Sequence, residues 1–400
     1  MTAEALISRC HERVDRPRPV VFLLPGIMGS HLAQQSERIW IDLSKLAHGE
    51  LTRLAIDAPN VTAEEIVSLA YGDLAKFLSA THEVAPFPYD WRLSLRAEAK
   101  RLADAINKKL TQAESTNQPV SLLAHSMGGL LARVMIADHP QVWQRLCKHA
   151  DARLIMLGTP NGGSYVIPII LTGRETLIRQ LSLLDIKHLE HELLEIIYEY
   201  PGLLEMLPLA EEQDDPYMFF SPDTWNAIHA RDKGYVWSAP TAERLAAARE
   251  TRLLLNKSPT DPGRMCYVAG CAPATPTGFQ FVANKQGREI LQFQASPEGD
   301  GRVLWATGRL PGVRTWYMQA VHGDLANHEP AFPALLDLLQ KGATDRLPTV
   351  PPESRGAPER FLLPEEKTLL YPNFEDLTRA ALGSRRRVSK RKTSELQYIT

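Results

Sequence analysis

The stretch Pro119-Val-Ser-Leu-Leu-Ala-His-Ser-Met-Gly-Gly129 constrains this chain more than any other. Val120, Leu122 and Leu123 read as a buried strand, and Leu130, Leu131, Val134 and Met135 then recur at helical spacing. Ser126 stands at the apex of the turn between them. Ala124 and Gly128 flank it at the two positions where a sharp turn cannot hold bulk. The pattern is G-x-S-x-G with Ala for the first Gly. In such an elbow a strained backbone lifts the hydroxyl to the top of a parallel sheet, and the next backbone N–H helps bind an oxyanion. An ordinary strand–turn–helix with a bystander serine would share these residues, so the rest of the chain has to decide.

That rest alternates in the way a parallel sheet requires. Val20 to Leu24 is an apolar run ending at Pro25-Gly26, and His82 to Tyr89, Arg153 to Leu157, Met265 to Ala269 and Arg314 to Ala320 are further strand candidates. Leu102, Ala105, Ile106 and Leu110 share one face of a helix leading to the elbow strand, and Pro333 to Leu339 reads as a closing helix. The expected fold is α/β, a mostly parallel doubly wound sheet with helices on both faces.

Three regions depart from that rhythm. Residues 1–17 form a polar N-terminal extension ahead of a domain expected to span 18–347. Residues 165–263 are too long for a connection. Their first half carries Leu177, Ile178, Leu181, Leu184, Ile186, Leu189, Leu193, Leu194, Ile196 and Ile197 between charges. A helical insertion packed on the sheet, or a helical cap lending the site an apolar surface, would fit; the cap is the expectation. Residues 348–400 are Pro-rich and then basic, ending in Arg385, Arg386, Arg387, Lys390, Arg391 and Lys392. Such a tail is expected to be a solvated end, with attachment to anionic lipid head groups or nucleic acid as the alternative.

Composition sets outer bounds. A net charge of −2 over 400 residues points to neither nucleic acid nor an anionic membrane as a partner. Cys10, Cys147, Cys266 and Cys271 show neither C-x-x-C nor zinc spacing, so no metal or other cofactor is expected. Cys266 and Cys271 read as buried thiols in a reducing compartment. With no apolar leader in Met1 to Arg18, and no run of about 18 apolar residues, the expected location is the cytoplasm, with peripheral membrane contact through cap or tail as an alternative.

An activated serine needs a base, and the base an orienting acid. In a doubly wound sheet carrying such an elbow, acid and His follow the serine from the ends of late strands. Among twelve histidines His322 is preferred, because it directly follows the Arg314–Ala320 candidate and precedes Gly323-Asp324. His328 is the runner-up. His125 adjoins the serine, and its side chain is expected to point away from the serine's partner. Asp300, between Gly299 and Gly301 on a tight turn, ranks above Asp261 and Asp324 as the acid. The second oxyanion donor, beside the Met127 amide, is expected from Ile27 in Pro25-Gly-Ile-Met-Gly-Ser30. That loop as a phosphate cradle is disfavoured: it lacks both the Lys-Ser/Thr of a P-loop and G-x-G-x-x-G spacing.

Taken together, Leu24-Pro-Gly-Ile-Met-Gly-Ser30, Pro88-Tyr-Asp-Trp-Arg92, Ala124-His-Ser-Met-Gly-Gly129, Gly158-Thr-Pro with Gly162-Gly-Ser164, and Gly299-Asp-Gly-Arg-Val303 resemble the lecithin:cholesterol acyltransferase-like family of α/β-hydrolases, which includes acyltransferases and phospholipases A. The elbow alone is shared by many hydrolases, whereas Tyr-Asp-Trp-Arg with Gly-Asp-Gly-x-Val is more specific. The resemblance runs over about residues 18–340. It implies an α/β-hydrolase fold with nucleophile Ser126, acid Asp300, base His322 and oxyanion donors Ile27 and Met127. It also implies an acyl-enzyme on an acyl ester, with a lipid as the expected partner. Arg302 stands where the family usually has Thr, and the region after His322 matches poorly. Asp90 and Arg92 are expected to form a buried pair with Trp packing. Met28 and Trp91 are the candidate substrate-binding residues.

The expected function is a serine esterase or lipase of phospholipase A-like type. The alternatives are an O-acyltransferase that moves a lipid acyl chain to an alcohol, and a hydrolase-like binding or regulatory module in which catalysis is secondary.

Overall fold

The computed structural model describes residues 17–175, 185, 187–210, 217–233 and 236–352, together with the backbone of Arg360–Leu362. Six parallel strands form the central sheet in the order Arg314–Tyr317, Met265–Ala269, Leu154–Leu157, Val120–His125, Val20–Leu24, Glu83–Pro86. Their side chains alternate between two cores. Val20, Phe22 and Leu24 enter one, with Leu122, Ala124, Leu154 and Met156. Val21 and Leu23 enter the other, with Leu123, Ile155 and Leu157. Burial on both faces is why these strands read as continuous apolar runs rather than alternating ones.

Leu95–Ala113, Met127–Asp138 and Ala242–Lys257 pack together on the first face. The buried positions Leu95, Ala99, Leu102, Ala103, Ile106 and Leu110 form the stripe that seats the first of these helices. Ser68–Leu78 and Phe332–Lys341 cover the second face. After Val20–Leu24 the chain goes to the Glu83 edge, then returns to the other side of that strand as Val120–His125. The strand order therefore reverses between these two neighbours, and Leu24 pairs with Ala124 there. A crevice opens at the carboxyl ends of strands where the order reverses. Both Pro25-Gly26 and Ser126 sit at that edge.

Several elements differ from expectation. The His82–Tyr89 candidate forms a strand only over Glu83–Pro86, since Pro86 and Pro88 have no N–H for a ladder. The last strand stops at Tyr317 rather than Ala320. Two antiparallel sheets were not anticipated: Ser30–Gln34 with Glu37–Trp40 and Val61–Ile66, and Thr275–Ala283 with Glu289–Ser296 and Arg360–Leu362. The Glu289–Ser296 strand buries Leu291, Phe293 and Ala295 while the residues between stay half-buried. That is the period-two signal of a half-covered sheet.

Between residues 165 and 263 the described helices are Val166–Leu171, Glu190–Tyr198, Pro201–Leu204, Pro222–Arg231 and Ala242–Lys257. Leu193, Leu194 and Ile197 are buried, but Leu189 is 65% exposed. Leu177, Ile178, Leu181, Leu184 and Ile186 lie outside the described residues, as do residues 1–16 and the basic tail. Among the described residues no helix is long and apolar enough to cross a membrane.

Candidate active site

Ser126 joins the Val120–His125 strand to the Met127–Asp138 helix with φ 53° and ψ −124°. This is left-handed backbone, which a non-glycine residue holds only where its surroundings over-determine it. The Ser126 N–H donates to Leu157 O at 2.8 Å, which ties the turn to the next strand. Gly128 is obligatory for a different reason: a Cβ there would lie 2.5 Å from Pro25 O and 2.7 Å from Leu24 O. The elbow helix thus presses directly on the Leu24-Pro25 backbone, and the Gly26–Met28 loop borders the same cavity as Ser126.

His322 stands at the start of a short 3-10 turn after the Arg314–Tyr317 strand, three places along the sheet from the elbow strand, and its Nε2 lies 2.8 Å from Ser126 Oγ. Its Nδ1 lies 2.8 Å from Asp300 Oδ2. A carboxylate only accepts, so Nδ1 carries the proton and Nε2 accepts from the serine hydroxyl. The other carboxylate oxygen, Asp300 Oδ1, accepts the N–H groups of Arg302 at 3.0 Å and Val303 at 2.7 Å. All three side chains are buried. Gly158, at φ 56°, leaves them room: a Cβ there would meet Asp300 Oδ2 at 2.9 Å and His322 Nδ1 at 3.0 Å. Such a line can move a proton from the hydroxyl to the imidazole as the oxygen attacks a carbonyl carbon.

The other candidates fall elsewhere. His328 precedes the Glu329–Ala331 turn and does not line the cavity. Asp261 accepts the Gly263 N–H at 3.2 Å in the loop before Met265–Ala269, at the opposite end of that strand from the site. Asp324 ends the His322–Asp324 turn outside the cavity lining. His125 does not point away from His322. Its ring centroid is 5.1 Å from that of His322, and its Nε2 is 2.9 Å from His322 O. Burial, with His322 beside it, pushes the His125 pKa down to about 3.

A cavity opens from Ser126 and His322. Its walls are mostly apolar and include Met28, Trp91, Val166, Ile170, Ile197 and Met206. Met28 has φ 60°, and its carbonyl accepts Trp40 Nε1–H at 2.9 Å. Trp91 both lines the cavity and packs edge-on against Trp40 and Tyr200, at 5.6 and 5.8 Å between centroids. Behind it Asp90 and Arg92 form a buried ion pair at 2.6 Å, and Arg92 Nη1 also donates to Leu54 O and Ala55 O, both at 2.8 Å. Ile27 borders the cavity, and Met127 opens the elbow helix, whose first N–H groups have no intrahelical acceptor.

Arg302 reaches the cavity and pairs with buried Glu175 at 3.3 Å. Asp300 meets only the backbone N–H of residue 302, so Arg in place of Thr leaves that bond intact. Cys147, Cys266 and Cys271 are unpaired, and burial raises each to about 11, which keeps them as thiols. Tyr71, which contacts the site from the Ser68–Leu78 helix, had no sequence signal: a lone tyrosine in an amphipathic helix looks like core.

Residues 70–235 match the family model described as lecithin:cholesterol acyltransferase. That span holds Tyr89-Asp-Trp-Arg92 and the elbow but ends before Asp300 and His322. The uncharacterized protein YJR098C of Saccharomyces cerevisiae is 30% identical over 176 residues, covering 39% of this chain and 25% of the relative. The chain therefore spans about a quarter of the length of that curated relative. Among solved structures, the lipase BlEst2 of Bacillus licheniformis in mature form is 14% identical at a TM-score of 0.38, over 82% of this chain and 93% of that one. The phospholipase PlaB of Legionella pneumophila is 12% identical at 0.39, over 82% and 61%. Across residues 70–235 the chain is similar to the lecithin:cholesterol acyltransferase family, and its parallel sheet and strand–turn–helix elbow have the arrangement of an α/β-hydrolase fold.

Proposed function

We propose that this chain is a serine ester hydrolase acting on acyl esters, with a lipid of phospholipid type as the substrate class. The observation that carries this reading is the Ser126–His322–Asp300 line opening onto an apolar cavity. Ser126 Oγ attacks the acyl carbonyl carbon while its proton passes to His322 Nε2. The oxyanion is received by the backbone N–H groups of Ile27 and Met127. His322 then returns the proton to the leaving alcohol as the carbon–oxygen bond breaks, leaving an acyl-Ser126. Asp300 holds the imidazole in the tautomer that accepts the proton and stabilises the imidazolium. Met28 and Trp91 border the space for the acyl chain.

Water closes the cycle in hydrolysis. An alcohol would close it in acyl transfer, and the family match over residues 70–235 favours keeping that second reading. The two use the same residues and differ in what reaches the acyl-enzyme.

The test is a fluorophosphonate probe followed by mapping of the adduct, then turnover of short-chain esters and phospholipids with and without an added alcohol. Labelling at Ser126 that disappears in Ser126→Ala, together with ester turnover, is the expected result. An adduct elsewhere, or no turnover of any ester, would leave a hydrolase-like binding module as the better description.

A further inference from the structure

A second hydrogen-bonded line runs beside the first, and ester chemistry at Ser126 does not use it. The Gly26 N–H donates to Tyr71 Oη at 2.8 Å. Tyr71 Oη lies 2.9 Å from His125 Nδ1, and His125 Nε2 lies 2.9 Å from His322 O. Donor and acceptor roles follow from the ends inward. A carbonyl oxygen only accepts, so His125 Nε2 carries the proton and Nδ1 is the acceptor. Tyr71 then donates its hydroxyl proton to Nδ1, and its oxygen receives the Gly26 N–H. Each group has a consistent partner, and both side chains are buried.

The ends of this line are informative. One is the loop Pro25–Ser30 that borders the serine, and the other is the backbone of the residue whose imidazole faces Ser126. Between them the line passes through His125, covalently next to Ser126. Resting on the proposed ester chemistry, we infer that His125 and Tyr71 are positioning residues that hold the oxyanion loop and the His322 loop in register across the nucleophile. Misplacing a catalytic group by about 1 Å can cost on the order of 100-fold in rate, so a buried strut between the two loops has a direct kinetic consequence. Neutrality of His125 matters too. With the ring centroids 5.1 Å apart, an imidazolium at 125 would oppose the positive charge that His322 gains on taking the serine proton. Burial keeps His125 neutral across the working range.

The experiment measures kcat and KM of the full chain on a p-nitrophenyl ester, with folded fraction by near-UV circular dichroism. The variants are Tyr71→Phe, His125→Gln, His125→Leu and the double Tyr71→Phe/His125→Leu. Tyr71→Phe, nearly isosteric, should lower kcat about tenfold with KM within about twofold, the signature of an interaction realised in the transition state. His125→Gln, whose amide can still donate to the His322 carbonyl, should keep more activity than His125→Leu. The double variant should be scarcely worse than His125→Leu alone, because the two act in one line. Wild-type kcat in Tyr71→Phe, additive losses, or a kcat loss that only follows the folded fraction would overturn the inference. Should His125→Leu fail to fold, Tyr71→Phe and His125→Gln carry the decision. A wild-type chain that neither labels at Ser126 nor turns over ester removes the ester reading and this inference together; an active wild type with indifferent variants removes this inference alone.

Discussion

Asp300 holds His322 twice: its carboxylate Oδ2 faces the ring Nδ1 at 2.8 Å, and its main-chain O accepts the His322 N–H, also at 2.8 Å. The second bond fixes the loop; the first fixes the tautomer. Asp300→Asn should keep the loop and lose the tautomer, because an amide N–H at that point favours a ring with its proton on Nε2. The expected outcome is a kcat lower by about 10^4-fold at similar KM, the size of such a change in a Ser-His-Asp site. Steady-state kinetics with denaturant titration decides. A large loss of stability in place of a kcat effect would make Asp300 a structural residue.

The Asp90–Arg92 pair is judged by the same logic with the opposite readout. Both side chains are almost fully buried, and Arg92 also ties down the Leu54 and Ala55 carbonyls. Arg92→Met leaves an unpaired carboxylate in the core and should cost about 3–5 kcal/mol. Adding Asp90→Asn should recover part of that. Urea unfolding of the wild type and the two variants measures it, and a single variant as stable as wild type would remove the pair from the core's essential contacts.

What could be read from sequence follows the range of the interactions. Val20–Leu24, Val120–His125 and Met265–Ala269 are buried on both faces, so their apolar runs mark them without knowledge of their neighbours. Ser126, Asp300 and His322 are separated by long stretches of chain, yet each sits on a turn with local chemistry, and chain order supplied the rest. Glu289–Ser296 escaped notice because its buried residues alternate with Gln292 and Gln294. Tyr71 and the backbone ends of its hydrogen-bonded line escaped for a different reason. Their role exists only once the Ser68–Leu78 helix packs beside the Gly26 loop and brings the Tyr71 hydroxyl to it.

Gly128→Ala tests the contact between the elbow helix and the Leu24–Met28 segment, whose Ile27 amide is the proposed oxyanion donor. The added methyl would sit against two carbonyl oxygens of the Leu24-Pro25 backbone, neither of which can rotate away as a side chain could. Overpacking of this kind costs about 1–3 kcal/mol. The displacement falls on the loop carrying Ile27, so activity should drop further than stability does. Phosphonate labelling rate compared with thermal midpoint reads the two separately; equal, small effects in both would mean that the loop accommodates the methyl.

Glu205 supplies a pH signature independent of catalysis. Its carboxylate accepts Ser94 Oγ–H, the Leu95 N–H and Thr251 Oγ1–H, which pins the start of the Leu95–Ala113 helix. Burial nevertheless raises its pKa from 4.5 to about 7, outweighing those donors and nearby Arg252. A carboxyl with a raised folded pKa contributes stability that is fully present below the unfolded value and lost as pH rises through the folded one. The wild type should therefore lose stability between about pH 4.5 and 7 relative to Glu205→Gln, whose amide stays neutral. Thermal midpoints of both chains from pH 4.5 to 8 supply the comparison. A difference that stays flat over that range, or grows in favour of the wild type, would place Glu205 as an ordinary ionised cap.

The last prediction concerns what enters the cavity. Ile170 and Ile197 line it from two helices, Val166–Leu171 and Glu190–Tyr198, on the side of Trp91 and Met206. If acyl chains occupy that space, Ile170→Phe shortens it without touching Ser126, Asp300 or His322. Each methylene of fit in an apolar pocket is worth about 1–3 kcal/mol, or about 10- to 200-fold in discrimination. The kcat/KM ratio of long to short acyl esters should then fall at least tenfold, with acetyl ester turnover held within about threefold. A chain-length series from acetyl to palmitoyl on both proteins tests this directly. Unchanged selectivity would move the acyl chain out of this cavity, and an equal loss on every ester would mean that the phenylalanine had disturbed the serine rather than the space beyond it.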